Sequence, residues 1–220
     1  MKGKLIVIMG TDGSGKSTLA HSIGKIISSP EAPYNVIWGG YELLLLRPFV
    51  LLAKRILMKE SSPRGDYASY DKSLKKAGTN KFAMFLYETA VLLEYTLEMF
   101  FKVTLRLLVG HGVICDRYFF DTVVNIASNR GLDENAFLAM LKHWARFFPN
   151  PDIVIFVSVP SEISMARKKD IPHIDYLKHR LYYYKTMVNN TDIITINGIG
   201  PASDVLKESL VVIRQKGGVS

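Results

Sequence analysis

The amino-acid sequence predicts an α/β fold, a three-layer sandwich in which a parallel five-stranded sheet is flanked by helices. Short apolar runs recur along the chain, helical patterning separates them, and 48% of the 220 residues are hydrophobic, enough for one sizeable core. The runs are continuous rather than alternating, which is typical of strands buried on both faces. They cover 5–9, 36–38, 113–115, 153–159 and 193–196.

Helical patterning fills the intervals between these runs. The predicted helices are 16–28, 43–58, 81–109, 134–147, 174–188 and 202–215. Strands that alternate with helices predict a doubly wound sheet with a ligand crevice at the carboxyl ends of its strands. The polar stretch 59–80 is predicted to be a flexible loop. Residues 1–220 are predicted to form a single domain.

Charge and cysteine content narrow the function classes. Lys and Arg number 28 against 20 Asp and Glu, and the net charge of +8 suits a polyanionic ligand: a nucleotide, a nucleic acid or an anionic membrane surface. The single cysteine, Cys115, excludes an internal disulfide framework and a multi-cysteine zinc site. No signal-peptide pattern begins the sequence, which favours a cytoplasmic location.

Two apolar stretches need testing as membrane spans. In 82–109, Glu94, Glu98, Lys102 and Arg106 recur every four residues and predict a long amphipathic helix with one charged, solvent-facing side. The stretch 43–58 is too short and too charged to span a bilayer. We interpret it as a dimer or core helix in preference to a segment resting on a membrane surface.

The most specific motif is the phosphate-loop pattern G-x-x-x-x-G-K-[ST] at 10–17, between a predicted strand and a predicted helix. In such a loop, successive backbone N–H groups point at phosphate oxygens. Lys16 is expected to reach the β- and γ-phosphates, and Ser17 to hold Mg²⁺, so the fold is predicted to be that of a P-loop NTPase. The candidate triphosphate-binding residues are Gly10, Thr11, Asp12, Gly13, Ser14, Gly15, Lys16, Ser17 and Thr18.

A second constellation directly follows the predicted strand 113–115. Asp116 is placed there to hold magnesium through water or to orient an attacking oxygen. Arg117 can fork onto a second phosphate, with a geometry that lysine lacks. The structural alternatives are a helix N-cap for Asp116 and a surface salt bridge for Arg117.

These motifs resemble those of the thymidylate kinase family, which belongs to the P-loop nucleoside monophosphate kinases. The similar positions are 10–18, Asp116-Arg117-Tyr118, Pro151-Asp152, Val159-Pro160, Ala166-Arg167 and the helix Tyr176-x₃-Arg180-x₃-Tyr184. The resemblance implies an enzyme that moves the γ-phosphoryl group of Mg-ATP to a nucleoside monophosphate, with dTMP as the first candidate. It also implies a homodimer formed through long helices.

The resemblance implies a role for each matching residue. The catalytic set is Lys16, Asp116, Arg117 and Arg167, and the magnesium-holding pair is Ser17 and Asp116. Asp12 would meet the acceptor's sugar hydroxyl, and Arg117 would grip the acceptor phosphate. Arg167 would lie over the adenine of ATP and begin a short basic lid at 167–176, with Arg180 close behind.

The sequence departs from the family pattern on the acceptor side. The nearest arginine after the second strand is Arg47, and the central helix reads Leu93-Glu94-Tyr95-Thr96-Leu97, without the arginine that the family usually presents to the base. Besides Asp12 and Arg117, the acceptor-binding candidates are Arg47, Tyr95, Tyr118 and Asp121. Asp121 is interpreted either as facing an acceptor hydroxyl or as compensating charge at a helix N-terminus. A divergent thymidylate kinase-like group, with Cys-Asp-Arg-Tyr-Phe-x-Asp, is similar at 115–121.

Two other functions remain open. One is a kinase of a non-nucleotide acceptor (a sugar, a nucleoside or a lipid-linked alcohol), for which membrane contact by 43–58 would serve the lipid case. The other is a non-enzymatic ATP-binding switch. No aromatic-interleaved RNA-binding motif accompanies the basic residues, so no nucleic-acid partner is expected.

Overall fold

The computed structural model describes residues 3–41, 81–168 and 173–217, with the backbone alone at 81–88 and 217. Within these ranges, five strands form one sheet in the order β2-β3-β1-β4-β5, and every pairing is parallel. The strands are β1 (Leu5–Met9), β2 (Tyr34–Trp38), β3 (Gly112–Asp116), β4 (Ile153–Ser158) and β5 (Ile194–Asn197). The predicted parallel five-stranded sheet is confirmed.

The helices follow the predicted order with two additions. They are α1 (Lys16–Ile27), α2 (Lys81–Met99), α3 (Leu105–Leu108), α4 (Phe119–Arg130), α5 (Glu134–Trp144), α6 (Ser161–Arg167), α7 (Ile174–Asn189) and α8 (Ala202–Gly217). A π-helical turn, Phe100–Thr104, joins α2 to α3. The predicted helix ranges did not include α4 and α6, although one interpretation of Asp121 places it at a helix N-terminus. The predicted helix 43–58 and the predicted loop 59–80 lie outside the described residues.

Helices cover both faces of the sheet. Because side chains alternate along a strand, Ile6 and Ile8 of β1 share one face and pack there with residues from α1 and α8. On the opposite face, the ring of Phe156 in β4 stacks on Tyr184 of α7, with ring centroids 5.3 Å apart. This arrangement is a three-layer P-loop NTPase-type α/β fold, as predicted.

The described residues divide into two compact units. One contains the residues up to Gly40 and from Met99 onward, with all five strands, and the other contains Tyr41 and residues 81–98. In the second unit, the Tyr41 hydroxyl donates to Glu94 Oε2 at 2.8 Å, and its ring packs edge to face on Tyr95. That residues 1–220 form a single domain stays a prediction.

The predicted charged, solvent-facing side of the long helix is wrong. Glu94 is 7% exposed, whereas the apolar side chains of Phe101 and Leu108 are 58% and 65% exposed. The π-helical turn changes the register of the helix from Phe100 onward, so the four-residue spacing no longer places Lys102 and Arg106 on the face of Glu94 and Glu98. Over the ranges that the structure describes, no helix is both long and apolar enough to cross a membrane.

The sheet brings the phosphate loop and the Asp116-Arg117 pair together at the carboxyl ends of its strands. Strands β1 and β3 are neighbours, with Ile8 paired to Asp116, so their carboxyl ends lie side by side. The chain continues to β3 and β2 on one side of β1 and to β4 and β5 on the other, which makes this edge the topological switch point. The phosphate loop and Asp116-Arg117 both begin there.

Candidate active site

The phosphate loop between β1 and α1 packs closely against α6. Gly13 has a φ of 81°, and a Cβ atom at this position would lie 2.4 Å from the carbonyl oxygen of Ser164. The hydroxyl oxygens of Thr11 and Ser164 are 3.3 Å apart. A side chain at position 13 would therefore separate the loop from α6, and the sequence carried no signal for the contribution of Ser164.

Lys16 begins α1, and its side chain curls back into the loop. It is 4% exposed, and its Nζ donates to the carbonyl oxygen of Thr11 at 3.0 Å. Burial, followed by repulsion from the positive charge of Arg117, lowers the pKa of Lys16 to about 8, and nearby carboxylates oppose this shift. The loop thus encloses a buried amine whose charge depends on its neighbours.

Asp116 ends β3 beside the loop and is 4% exposed. Its Oδ1 atom is buried and makes no hydrogen bond to any residue that the structure describes. A buried carboxylate oxygen without a donor is costly unless a cation or a water satisfies it. Ser17 is exposed in the first turn of α1. No cluster of three or more His, Cys, Asp or Glu in the described ranges is arranged to hold a metal.

Arg117 adopts a backbone conformation that side chains rarely take, with a φ of 73°. Its N–H donates to the carbonyl oxygen of Ile8 at 3.0 Å, which ties the strained residue to β1. A Cβ atom on Gly39 would lie 2.4 Å from the Arg117 carbonyl oxygen, so a glycine is needed there for this turn. The guanidinium contacts Asp12 through Nη2 and Asp121 through Nη1, the latter at 3.2 Å.

Asp12 is the centre of a cationic cluster. Besides Arg117, its carboxylate lies 3.3 Å from Arg180 Nη1 and 3.9 Å from both Lys16 Nζ and Lys168 Nζ. Partial burial raises the pKa of Asp12, but the charges of Arg117, Lys16 and Arg180 together outweigh burial and lower it. Asp12 is therefore held as a carboxylate among cations from four segments of the chain.

Asp121 lies in the first turn of α4, and its oxygens are already engaged. Its Oδ1 accepts from Tyr184 Oη at 2.6 Å and from Arg117, and its Oδ2 accepts from the Tyr118 N–H at 3.2 Å. Burial raises the pKa of Asp121, although Arg117, Lys16 and these hydrogen bonds oppose the increase. The helix N-terminal interpretation of Asp121 matches this geometry. Its role toward an acceptor hydroxyl stays a prediction.

Three further acceptor-side candidates remain: Tyr118, Tyr95 and Arg47. Tyr118 is fully buried, and its hydroxyl donates to the carbonyl oxygen of Pro149 at 2.9 Å, so its side chain belongs to the core. Tyr95 is also fully buried and belongs to the second compact unit. Arg47 lies outside the described residues, as do 169–172 of the predicted lid.

Arg167 contacts the loop after β5. Its two terminal nitrogens donate to the carbonyl oxygens of Gly198, at 2.9 Å, and Ile199, at 3.1 Å. The guanidinium lines a cavity of about 250 Å³ together with residues of the phosphate loop and α1, including Ser14 and Thr18. Arg167 therefore has different partners from the side chains gathered at Asp12.

Helix α7 supplies two side chains whose partners the sequence did not predict. Arg180 bonds to Asp12 and lies over the ring of Tyr176, 3.9 Å from its centroid. Tyr184, one turn further on, bonds to Asp121. The spacing Tyr176-x₃-Arg180-x₃-Tyr184 puts these residues on one helical face, and this was the only signal that could have located them.

Curated relatives match almost the whole chain. A probable thymidylate kinase of Pyrococcus horikoshii is 26% identical over 98% of both chains. The thymidylate kinase of Latilactobacillus sakei is 25% identical over 98% of this chain and 96% of its own. A probable thymidylate kinase of Archaeoglobus fulgidus is 25% identical over 95% and 94%.

No protein-family model matches the chain. The relatives named above match over 94–98% of their own length. The protein is accordingly a phosphotransferase of the nucleoside monophosphate kinase type, and it is similar over almost its whole length to curated thymidylate kinases.

Proposed function

We propose that this protein transfers the γ-phosphoryl group of ATP, bound with Mg²⁺, to dTMP. The observation that carries the proposal is the convergence of Lys16, Arg117, Lys168 and Arg180 on Asp12, beside a phosphate loop. Phosphoryl transfer depends mainly on positioning and on cations around the transferred group. Relatives named thymidylate kinase support dTMP as the first acceptor to test.

On the donor side, the loop amides and Lys16 bind the phosphates of ATP. The cavity beside the loop receives the adenine, and Arg167 lies against the base, where a planar guanidinium stacks well. Because two backbone carbonyls hold both of its terminal nitrogens, the guanidinium keeps one orientation. These residues bind and orient the donor but take no part in proton movement.

On the acceptor side, Arg117 grips the phosphate of the nucleoside monophosphate, and Arg180 and Lys168 face the transferred group. Asp12 aligns both arginines and meets the acceptor's sugar hydroxyl. The four cations around Asp12 outnumber the carboxylates of Asp12, Asp116 and Asp121. This excess positive charge favours the negative charge that spreads over the equatorial oxygens during transfer.

Asp116 and Ser17 would hold the magnesium ion. The residues fit this cation, since Asp116 presents a buried carboxylate oxygen that has no donor among the described residues. Carboxylate and hydroxyl oxygens are the hard ligands that Mg²⁺ prefers. When bound, the ion would neutralise charge on the phosphate oxygens of ATP.

The proposal is tested by measuring ADP release from Mg-ATP with dTMP, dUMP, UMP, CMP, AMP, GMP, thymidine or buffer alone. Strong stimulation by dTMP supports it. Stimulation by another monophosphate keeps the mechanism and changes the acceptor. If no nucleotide stimulates release, while ATP binds and Lys16→Ala abolishes that binding, the dTMP proposal is overturned and sugars and lipid-linked alcohols are the next acceptors to test.

We also propose that the protein forms a homodimer through the end of its long helix. Phe101, Leu108 and Val109 are 58%, 65% and 70% exposed there, a large apolar surface for such a short segment. Leu108→Asp is expected to give a monomer by light scattering. The matched control is Val211→Asp, at an exposed site on α8. An unchanged dimer in Leu108→Asp, or a monomeric wild type, would contradict the proposal.

A further inference from the structure

Arg117 is held from two sides by carboxylates of different character. Asp12 contacts its Nη2 and is partly exposed, whereas Asp121 contacts its Nη1 and is buried, with a side-chain exposure of 6%. The positive φ of Arg117 adds local backbone strain, which the surrounding contacts must offset. The orientation of this guanidinium therefore depends on tertiary contacts rather than on backbone preference.

Tyr184 supports the buried side of this arrangement. Its hydroxyl donates to the Oδ1 of Asp121 at 2.6 Å, the same oxygen that accepts from Arg117. The Tyr184 ring is 2% exposed and stacks on Phe156 of β4, so the sheet fixes the position of the hydroxyl. A hydrogen bond to a carboxylate favours its ionised form, which burial otherwise disfavours.

We propose that Tyr184 and Asp121 form a positioning pair that holds the guanidinium of Arg117 toward the phosphate acceptor. The inference rests on the proposed function for the identity of that acceptor, but its structural part concerns Arg117 alone. With Asp121 ionised and fixed, both terminal nitrogens of Arg117 are held, and its plane has one orientation. Without the hydroxyl, the buried carboxylate gains a proton more easily and the inner contact weakens.

A purely structural role is the alternative, since the same bond also ties α7 to α4. The neighbouring residue offers a matched control. Tyr183 is 5% exposed, and its hydroxyl donates to the carbonyl oxygen of Leu132 at 2.6 Å, just beyond α4. Tyr183→Phe removes a partly buried hydroxyl and one hydrogen bond from the same helix, but not one made to a partner of Arg117. Tyr184→Phe keeps the ring and its stack on Phe156, so the fold is retained.

The experiment compares wild type, Tyr184→Phe, Asp121→Asn and Tyr183→Phe in two measurements. The first is the KM for dTMP and for ATP in the ADP-release assay. The second is the rate at which phenylglyoxal modifies Arg117 in the protein alone, followed by peptide mass spectrometry. We expect Tyr184→Phe to raise the KM for dTMP about tenfold, with the KM for ATP unchanged, and to speed modification of Arg117. Asp121→Asn acts in the same direction and more strongly.

Tyr183→Phe is expected to change both quantities by less than about twofold, although it loses a similar hydrogen bond. If Tyr184→Phe matches Tyr183→Phe in both measurements, the positioning pair is overturned. If wild type shows no activity with dTMP but Arg117 is still modified faster in Tyr184→Phe, the pair is supported and the substrate assignment fails. If dTMP is a substrate and only the labelling rate stays unchanged, the pair is overturned and the proposed function stands.

Discussion

The two arginines of the candidate site are held by different chemistry. Arg117 is fixed by the carboxylates of Asp12 and Asp121, in a backbone conformation of positive φ. Arg167 is exposed, and two neutral backbone carbonyls, of Gly198 and Ile199, hold its guanidinium. Charged partners bind a guanidinium about twice as strongly as neutral ones, but they also balance its charge.

This difference indicates a division of labour. On the Arg117 side, buried partners and a strained backbone fix the N–H donors of the guanidinium in one orientation. This arrangement suits recognition of a dianionic phosphate. The Arg167 side supplies a flat cation at the edge of a cavity of about 250 Å³, which suits contact with a base. Substitution of Arg117 should therefore lower kcat/KM far more than substitution of Arg167.

The largest effect is expected at the buried lysine of the phosphate loop. Lys16→Ala removes the buried cation of the phosphate loop, and kcat/KM should fall about 10³-fold or more. Lys25→Ala, at an exposed site in the last turn of the same helix, is the control and should retain activity. The measurement is steady-state ADP release, with circular dichroism to show that both variants fold. An active Lys16→Ala variant would place the chemistry elsewhere.

The second-largest fall in kcat/KM is expected when the guanidinium of Arg117 is replaced. Arg117→Lys keeps the charge but cannot contact Asp12 and Asp121 at once, so kcat/KM for dTMP should fall about 100-fold while the KM for ATP changes little. Arg130→Lys, at the other end of α4, controls for the substitution itself. Acceptor and donor titrations separate the two constants. Equal loss for both substrates would mean that Arg117 does not distinguish the two sides.

The pH dependence of Mg-ATP binding tests whether the charge of Arg117 affects Lys16. The pKa of Lys16 is lowered to about 8, so its amine is charged below this pH and loses its proton above it. Affinity for Mg-ATP should therefore decline as the pH rises above about 8, in calorimetric titrations between about pH 7 and pH 10. Arg117→Gln removes a like charge and should move the decline to higher pH. The shift should be partial, because burial is the larger cause. A decline at the same pH in both proteins would separate Arg117 from Lys16.

The smallest effect is expected at Arg167. Arg167→Ala removes about 1 kcal/mol of contact with the base, so the KM for ATP should rise about fivefold with kcat little changed. Arg214→Ala, at an exposed site in the last turn of α8, is the control. Both constants come from ATP titrations at saturating acceptor. A large fall in kcat would instead assign Arg167 to the transferred phosphoryl group, and the contrast between the two arginines would disappear.

The fold was predictable wherever a local pattern determines structure. Continuous apolar runs such as Leu5–Met9 indicate strands covered on both faces, and the observed strands agree to within two residues. The long helix was also predicted, but the prediction of its solvent-facing side was wrong. Glu94 is 7% exposed because it has a partner 53 residues away in sequence, Tyr41, and helical spacing alone cannot indicate such a pair.

In the candidate site, too, some residues could be placed from local sequence patterns and others could not. The positions of Lys16, Asp116 and Arg117 could be predicted because loop, strand and turn chemistry place them by short-range rules, while their catalytic roles stay predictions. Asp121 was found, but its direction was left open, since a carboxylate in the first turn of a helix suits either role. The Tyr184 hydroxyl that fixes it comes from 63 residues further along the chain, and Ser164 reaches Thr11 across 153 residues.

The sequence by itself therefore determined the parallel sheet, the phosphate loop and the edge of the sheet where the site lies. Their causes are apolar periodicity and glycine conformation, which act over a few residues. Only the tertiary structure decided which side chains hold Arg117 and which hold Arg167. Burial and ion pairing depend on elements that fold together from distant parts of the chain, so the same aspartate is a surface acid in one fold and a buried anchor in another.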